Sequence, residues 1–320
     1  ALLPEEAFAW LIAPIPVDAF FAEYWERRPL HIRRGEPARY AGLFTQEDVA
    51  RQLRSRAGLH FERDINLARC VAGKQVMQNG RGQAEAAAVA AAVAEGCSVQ
   101  VVHPQRFAPA VAALLARLEG FFGCLWGANS FRTPPASRGF KAHHDEVEVF
   151  MLQLEGAKNW TLHSCPAGPL PQGYCWDYDE ALLGPPCMQV CLRAGDLLYL
   201  PRGTVHRGSA VDGEDSHHLT VSTYQGSSWA AFLAKALPAA LERAAAADVR
   251  YRKGLPLNCL GLLGRHHAPP LRGRGRGGAS EARDSFQRTL VELLGGLAAH
   301  CRPAADAAGD LLGAQFVARR

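Results

Sequence analysis

Two histidines and an aspartate in this chain have the types and spacing to hold a transition metal. His143 and Asp145 stand two apart in Gly-Phe-Lys-Ala-His-His-Asp-Glu-Val-Glu-Val-Phe (139–150), and His206 closes Gly-Asp-Leu-Leu-Tyr-Leu-Pro-Arg-Gly-Thr-Val-His (195–206). In a strand, residues i and i+2 share a face, roughly 6–7 Å apart. His143 and Asp145 therefore look one way and His144, Glu146 and Glu148 the other. Two imidazoles and one carboxylate from neighbouring strands can occupy one face of an Fe(II) ion and leave the opposite face for a co-substrate and O₂. Val147 and Val149 follow Asp145 on its own face. That pattern describes a buried interior, where an unpaired carboxylate is costly. The competing reading is a hydrogen-bonded His–Asp pair at a barrel mouth, and the His-x-Asp tripeptide alone favours that pair.

Residues downstream shift the balance. Lys158 begins a strand after an expected Glu155-Gly156-Ala157 turn and shares its face with Trp160 and Leu162. A lysine that looks inward needs an anion, and a chelating dicarboxylate needs a cation at its far end; the alternative is a surface lysine that snorkels. His206 follows a Pro-Arg-Gly turn, which puts it at a strand start; its alternative is a satisfied core histidine. His218, Thr220, Ser222 and Tyr224 alternate on one strand face. Hydroxyls at Thr220 and Ser222 suit a carboxylate and a substrate side chain, although both residues also simply favour strands.

These side chains need a β-rich scaffold. From Ser130 to Gln225 the period is mainly two, with turns at Ala194-Gly195-Asp196, Pro201-Arg202-Gly203 and Asp212-Gly213. That pattern describes an antiparallel barrel or jelly roll. Around it, helices are expected over 1–30 with a proline break, 46–57, 84–95, 107–121, 229–247 and 285–300; short strands are expected at 30–32, 59–71 and 98–103. The Arg-Gly run at 272–278 describes a flexible linker. The whole is an α+β fold in 320 residues, 48% of them hydrophobic, enough for one large domain and a smaller one. No run of 18 apolar residues describes a membrane span, and no signal peptide opens the chain, which begins at Ala1 as an excised piece would. A net charge of +4 permits acidic partners, direct nucleic-acid contact included, without requiring them. Nine cysteines lie singly with no Cys-x-x-Cys, which fits a reducing compartment rather than a disulfide framework or a zinc site.

The phrases HHDEVEVFMLQLEG, GDLLYLPRGTVH and HLTVSTYQGSSW resemble the ribosomal-oxygenase group of JmjC proteins, and the resemblance extends over about residues 8–265. It is stronger toward the nucleolar histidyl-hydroxylase and lysine-demethylase branch. It implies a double-stranded β-helix that uses Fe(II), 2-oxoglutarate and O₂, with iron ligands at His143, Asp145 and His206. It implies cofactor contacts at Lys158, Thr220 and Asn129, and a substrate-side serine at Ser222. The implied organisation is a JmjC catalytic domain at 1–228 with its core at 98–228, a helical dimerisation region at 229–264, an Arg/Gly-rich linker at 265–281 and a partial winged-helix-like region at 282–320. Implied partners are a large-subunit ribosomal protein, a histone in the demethylase alternative, and a second copy of the chain, in the nucleus or nucleolus. The chain departs from the family pattern at His144 and Phe131, where Tyr is usual, and at Gln100, where Arg is usual; Phe131 and Gln100 bear on the substrate. Three functions follow: a ribosomal histidyl hydroxylase, a histone lysine demethylase that finds Tyr224 and Trp126 near a methylammonium, and a non-catalytic ribosome-assembly scaffold.

Overall fold

Ten strands and seven α-helices are found among the described residues. In chain order the strands are β1 (Leu30–Ile32), β2 (Ile65–Val71), β3 (Lys74–Met77), β4 (Ser98–Val102), β5 (Trp126–Thr133), β6 (Glu148–His163), β7 (Met188–Arg193), β8 (Leu197–Leu200), β9 (Val205–Ala210) and β10 (Ser216–Thr223). The helices are α1 (Pro4–Ile12), α2 (Val17–Glu23), α3 (Gln46–Arg54), α4 (Ala86–Ala94), α5 (Pro109–Phe122), α6 (Trp229–Ala247) and α7 (Arg276–Arg319). This computed structural model describes residues 2–71, 73–175, 178–257, 259 and 276–319. They fall into two units, Ala1–Gln225 and Gly226–Arg320.

In the first unit the strands order as β1-β8-β6-β10-β5-β4-β2-β3, and β7 and β9 also pair with β6. Strand β6 is the pivot. Its residues 149–152 pair with β8 and its residues 148–156 with β10, while 157–163 pair with β7 and β9. It thus passes from one sheet of the jelly roll into the other. The turn expected at Glu155-Gly156-Ala157 is therefore corrected: the strand bends there without stopping. Gly156 has φ +63°, and a Cβ on it would lie 1.7 Å from the Asp215 carbonyl oxygen. Glycine produces a turn-like sequence signal, but here it lets one strand bend against another.

Alternation along β6 sorts its side chains. Phe150 and Leu152 join a core built with Phe8, Phe20 and Leu118 of the N-terminal helices and with Tyr199 of β8. Val149 and Met151 point between the sheets, with Trp160, Leu162, Leu192 and Leu198. Phe20 sits 4.9 Å from Tyr199 and 5.9 Å from Phe150, ring to ring. Helix α3 opens on a capping box in which Thr45 and Asp48 satisfy each other's backbone N–H. Leu53 of α3 and Val89 of α4 pack over Leu67, Val99 and Val101 of the sheet.

In the second unit, Ser228 caps α6 through its hydroxyl, and Tyr251 Oη donates to the Leu293 carbonyl at 2.7 Å. Of the region expected as a partial winged helix at 282–320, residues 282–319 are part of a single helix, with no strand among the described residues of this unit. Its composition, led by Ala and Leu, favours helix over the β-wing. Of the linker expected at 265–281, residues 265–275 lie outside the described residues and 276–281 open α7. No helix among the described residues is long and apolar enough to cross a membrane.

Candidate metal centre

The backbone places the first two ligands opposite each other. His143 and His206 exchange both backbone hydrogen bonds, N to O at 3.2 and 2.8 Å, as an isolated antiparallel bridge. Their side chains leave the same face of that bridge, with ring centroids 4.3 Å apart. The strand expected through 143–145 is only this bridge and its neighbour His144–Cys175. Asp145 is held separately, its carbonyl accepting from Gly203 N at 3.0 Å. One ligand atom from each of His143, Asp145 and His206 lies within 4.8 Å of the others.

The hydrogen bonds fix the tautomers. His143 Nδ1 lies 2.8 Å from the Lys141 carbonyl, and His206 Nδ1 lies 3.0 Å from the Thr204 carbonyl. A carbonyl only accepts, so each Nδ1 carries a proton, which directs Nε2 toward a metal. Burial, reinforced by the adjoining His143, pushes His206 down to about 4, so its imidazole is neutral near pH 7. His206 Nε2 and Asp145 Oδ2 are 3.8 Å apart, too far for a hydrogen bond between those two groups. The donor set and its tautomers fit a divalent metal of the iron type.

Lys158 is the second unusual group. It is 5% exposed and burial alone pushes it down to about 7. Its Nζ donates to Thr133 Oγ1 at 3.0 Å and lies 5.0 Å from the Trp160 ring centre. Gly208 makes room for it, because a Cβ there would lie 2.8 Å from Lys158 Cε and 3.0 Å from the Trp160 ring. Asn129 Oδ1, Trp160 Nε1 and His218 Nδ1 are buried without hydrogen-bond partners, and their residues all line the same cavity. A dicarboxylate brought to Lys158 fits this polar end.

That cavity, about 110 Å³, joins the metal, cofactor and substrate residues implied by the resemblance. His143, Asp145 and His206 lie along it, with Lys158, Thr220 and Asn129, and with Gln100, Phe131 and Ser222. Val147, Val149 and Met151 line it too, as the alternation after Asp145 requires. His144 points away and hydrogen-bonds Tyr178 Oη and the Gly173 carbonyl, each at 2.8 Å. Two expectations fail. Trp126 lies in the helical-side core, and Tyr224 packs on Trp25 and Phe122. The reason for Tyr224 is that β10 ends at Thr223 and Tyr224 turns away with φ +66°.

Sequence reasoning missed Thr133, the hydroxyl that meets Lys158, although it shares the period-two face of Asn129 and Phe131. It also missed Lys141 and Arg207, which line the cavity. Arg207 pairs with Glu180 at 2.7 Å, and Glu180 also pairs with Arg138. Nothing in the local sequence announces that arrangement, because Glu180 comes from a distant loop.

Residues 100–231 match the JmjC domain family. The chain is 42% identical over 261 residues to ribosomal oxygenase 1 of Gallus gallus, covering 81% of this chain and 43% of that protein. It is 38% identical over 255 residues to the bifunctional lysine-specific demethylase and histidyl-hydroxylase NO66 of Aedes aegypti, covering 79% of this chain and 40% of that protein. Ribosomal oxygenase 2 of Rattus norvegicus is 40% identical over 262 residues, covering 80% of this chain and 56% of that protein. The chain thus spans less than half the length of the first two relatives and little more than half of the third. In fold it is similar to the Escherichia coli ycfD structure, with a TM-score of 0.53 at 18% identity over 88% of this chain and 68% of that one.

Proposed function

We propose, from the premise that residues 100–231 are a JmjC domain related to those of the ribosomal oxygenases, that the protein is an Fe(II)- and 2-oxoglutarate-dependent protein oxygenase. Its substrate in this proposal is a histidine side chain of a large-subunit ribosomal protein. One observation carries the reading: a convergent His143–Asp145–His206 set and a buried lysine without a carboxylate share one cavity. Iron, when bound with 2-oxoglutarate and O₂, supplies oxidative decarboxylation to succinate and CO₂ and the insertion of one oxygen atom into an unactivated C–H bond.

The chain's own residues do the rest. His143 Nε2, His206 Nε2 and the Asp145 carboxylate would hold the metal. Lys158 supplies a full positive charge to the far carboxylate of 2-oxoglutarate, with Thr133 fixing its Nζ and with Thr220 and Asn129 on the same wall. Val149, Met151 and Trp160 keep water from that end, which strengthens the charge interaction. Gln100, Phe131 and Ser222 line the same cavity and would meet the substrate, where they can hold a carbon atom in position for reaction.

The lining argues for a histidine over a methylated lysine. A methylammonium needs a carboxylate or an aromatic cage. Phe131, Phe140 and Trp160 offer aromatic faces to either group, but Asp145 is the one carboxylate among the lining residues and belongs to the metal-ligand set, while Lys141 and Arg207, the latter paired with Glu180, bring positive charge. A neutral imidazole meets no such repulsion. Mass spectrometry separates the readings: the proposal expects a ribosomal histidine peptide to gain one oxygen atom. Formaldehyde release from a methylated histone peptide, with no change in the ribosomal peptide, would favour the demethylase. His143→Ala and Asp145→Ala should each abolish 2-oxoglutarate turnover, and turnover persisting in both would leave the scaffold reading. The proposal extends to a homodimer in the nucleolus, supported for the dimer by Trp229, Leu233, Leu237 and Leu241, an exposed stripe along α6. Sedimentation and imaging of the tagged chain test those two points.

A further inference from the structure

Behind the metal-ligand set lies a buried acid that the chemistry above does not use. Glu148, at the start of β6, is fully buried. Both its oxygens are engaged: Oε2 accepts from Tyr199 Oη at 2.5 Å and Oε1 accepts from Arg202 N at 3.2 Å. Tyr199 Oη in turn accepts from Glu26 N at 2.9 Å, and the Arg202 guanidinium donates to Glu26 Oε1 at 3.1 Å. Two backbone N–H groups, of Arg202 and Glu26, thus reach this carboxylate and its phenol partner, and the Arg202–Glu26 ion pair ties those two residues to each other.

What this network holds is the turn that carries the ligands. Within Pro201–Thr204, Thr204 N and Thr204 Oγ1 both donate to the Pro201 carbonyl, at 3.0 and 2.8 Å. The N–H of Gly203, next after Arg202, holds the Asp145 carbonyl at 3.0 Å. The carbonyl of Thr204, one residue further, holds His206 Nδ1 at 3.0 Å. A shift of Arg202 therefore moves the support of two ligands at once. An acid buried only for packing would be expensive there, whereas leucine would fill the space without a polar group.

We propose that Glu148 is a positioning residue, whose carboxylate fixes the Pro201–Thr204 turn and through it the bearing of Asp145 and His206 toward the metal. This rests on the reading that His143, Asp145 and His206 hold a divalent metal. Partners one step removed from a metal ligand change its affinity by roughly 10–100-fold when lost. Glu148 acts through one backbone N–H and should fall at the lower end of that range.

The test is a Co(II) titration of the purified chain, read by affinity and by the visible absorption of the bound ion. Amide hydrogen exchange at Gly203 is measured alongside on the metal-free protein. Glu148→Leu should weaken Co(II) binding about tenfold, change the Co(II) spectrum and deprotect the Gly203 amide. Glu148→Gln keeps an oxygen for Arg202 N and should restore affinity to within about threefold of wild type. Tyr199→Phe removes one hydroxyl without opening a cavity, and covers the case in which the leucine variant fails to fold. It should weaken Co(II) binding by about threefold and raise exchange at Gly203. Folded Glu148→Leu and Tyr199→Phe variants that bind Co(II) with the wild-type affinity and spectrum would overturn the role of Glu148, however much their thermal stability falls. A wild-type chain that binds no Co(II) would instead overturn the metal reading itself.

Discussion

Lys158 gives the sharpest quantitative expectation. Burial pushes it down to about 7, against an ordinary lysine value of 10.5. That interval corresponds to about 5 kcal/mol of desolvation carried by the charged amine when no carboxylate faces it. A dicarboxylate at Lys158 supplies the missing charge and should return the amine to the ordinary lysine range. Binding then takes up a proton wherever the free protein is neutral and the complex is charged, from about pH 7 upward. Calorimetry of 2-oxoglutarate binding to the metal-loaded, anaerobic protein, in buffers of different ionisation enthalpy, counts those protons. Uptake should be about half a proton at pH 7 and about nine-tenths at pH 8, with affinity falling about fivefold between them. Lys158→Met should lose about 10–100-fold in affinity at pH 7 and take up no proton. The metal- and cofactor-free wild type carries the complementary sign. Its folded state favours the neutral amine, so its stability rises with pH between about 7 and 10.5, and Lys158→Met flattens that rise. Proton uptake of zero and a pH-flat affinity from about 6.5 to 8.5 would refute the argument that Lys158 is the buried cation of this site.

Three further outcomes follow from the same geometry. Gly208→Ala puts a methyl group 2.8 Å from Lys158 Cε, so 2-oxoglutarate binding should weaken by roughly tenfold while Co(II) binding stays within about twofold; equal loss of both would show a general collapse. Glu148, raised to about 7 by burial, favours its neutral form in the folded chain, so its contribution to stability is full below about 4.5 and is lost as pH rises through about 7. Urea melts should show a decline approaching about 3 kcal/mol over that interval in the wild type and almost none in Glu148→Gln. Phe20→Ala empties a fully buried site against Phe8, Phe150 and Tyr199 and should cost about 3–5 kcal/mol in denaturant unfolding.

Much of the site is legible in the sequence because strand alternation is a local rule. The faces of Asp145-Val147-Val149 and of His218-Thr220-Ser222 follow from counting by two, and all six residues line the cavity. Where the rule ends, so does the legibility. His143 and Asp145 converge through one bridge and one Gly203 hydrogen bond, which are tertiary facts that the strand reading reproduces only in outcome. Tyr224 continues the count but not the strand. Gly156 carries a turn's residue type in the middle of a continuous strand, because its role is to let Asp215 approach. Lys158 could be placed by alternation and by resemblance, whereas Arg207's partner Glu180 comes from a loop that no local pattern ties to the cavity. Helix α7 extends beyond the expected 285–300: Gly277, Gly278 and Pro303 are usual helix breakers, and the helix runs through all three.

The long strand β6 also sets a schedule for the newborn chain. All but four of its residues are buried, yet β7, β8, β9 and β10, which flank it, all come later in the sequence. The last of these ends at Thr223, sixty residues after His163 closes β6. At roughly 5–20 residues per second, a ribosome leaves this apolar strand without its neighbours for roughly 3–12 s. Over that interval its exposed edges can pair with other chains as readily as with its own. Synthesis of the jelly roll should therefore depend on chaperone capacity more than its finished stability suggests, and slow codons placed before residue 223 should lower the soluble yield.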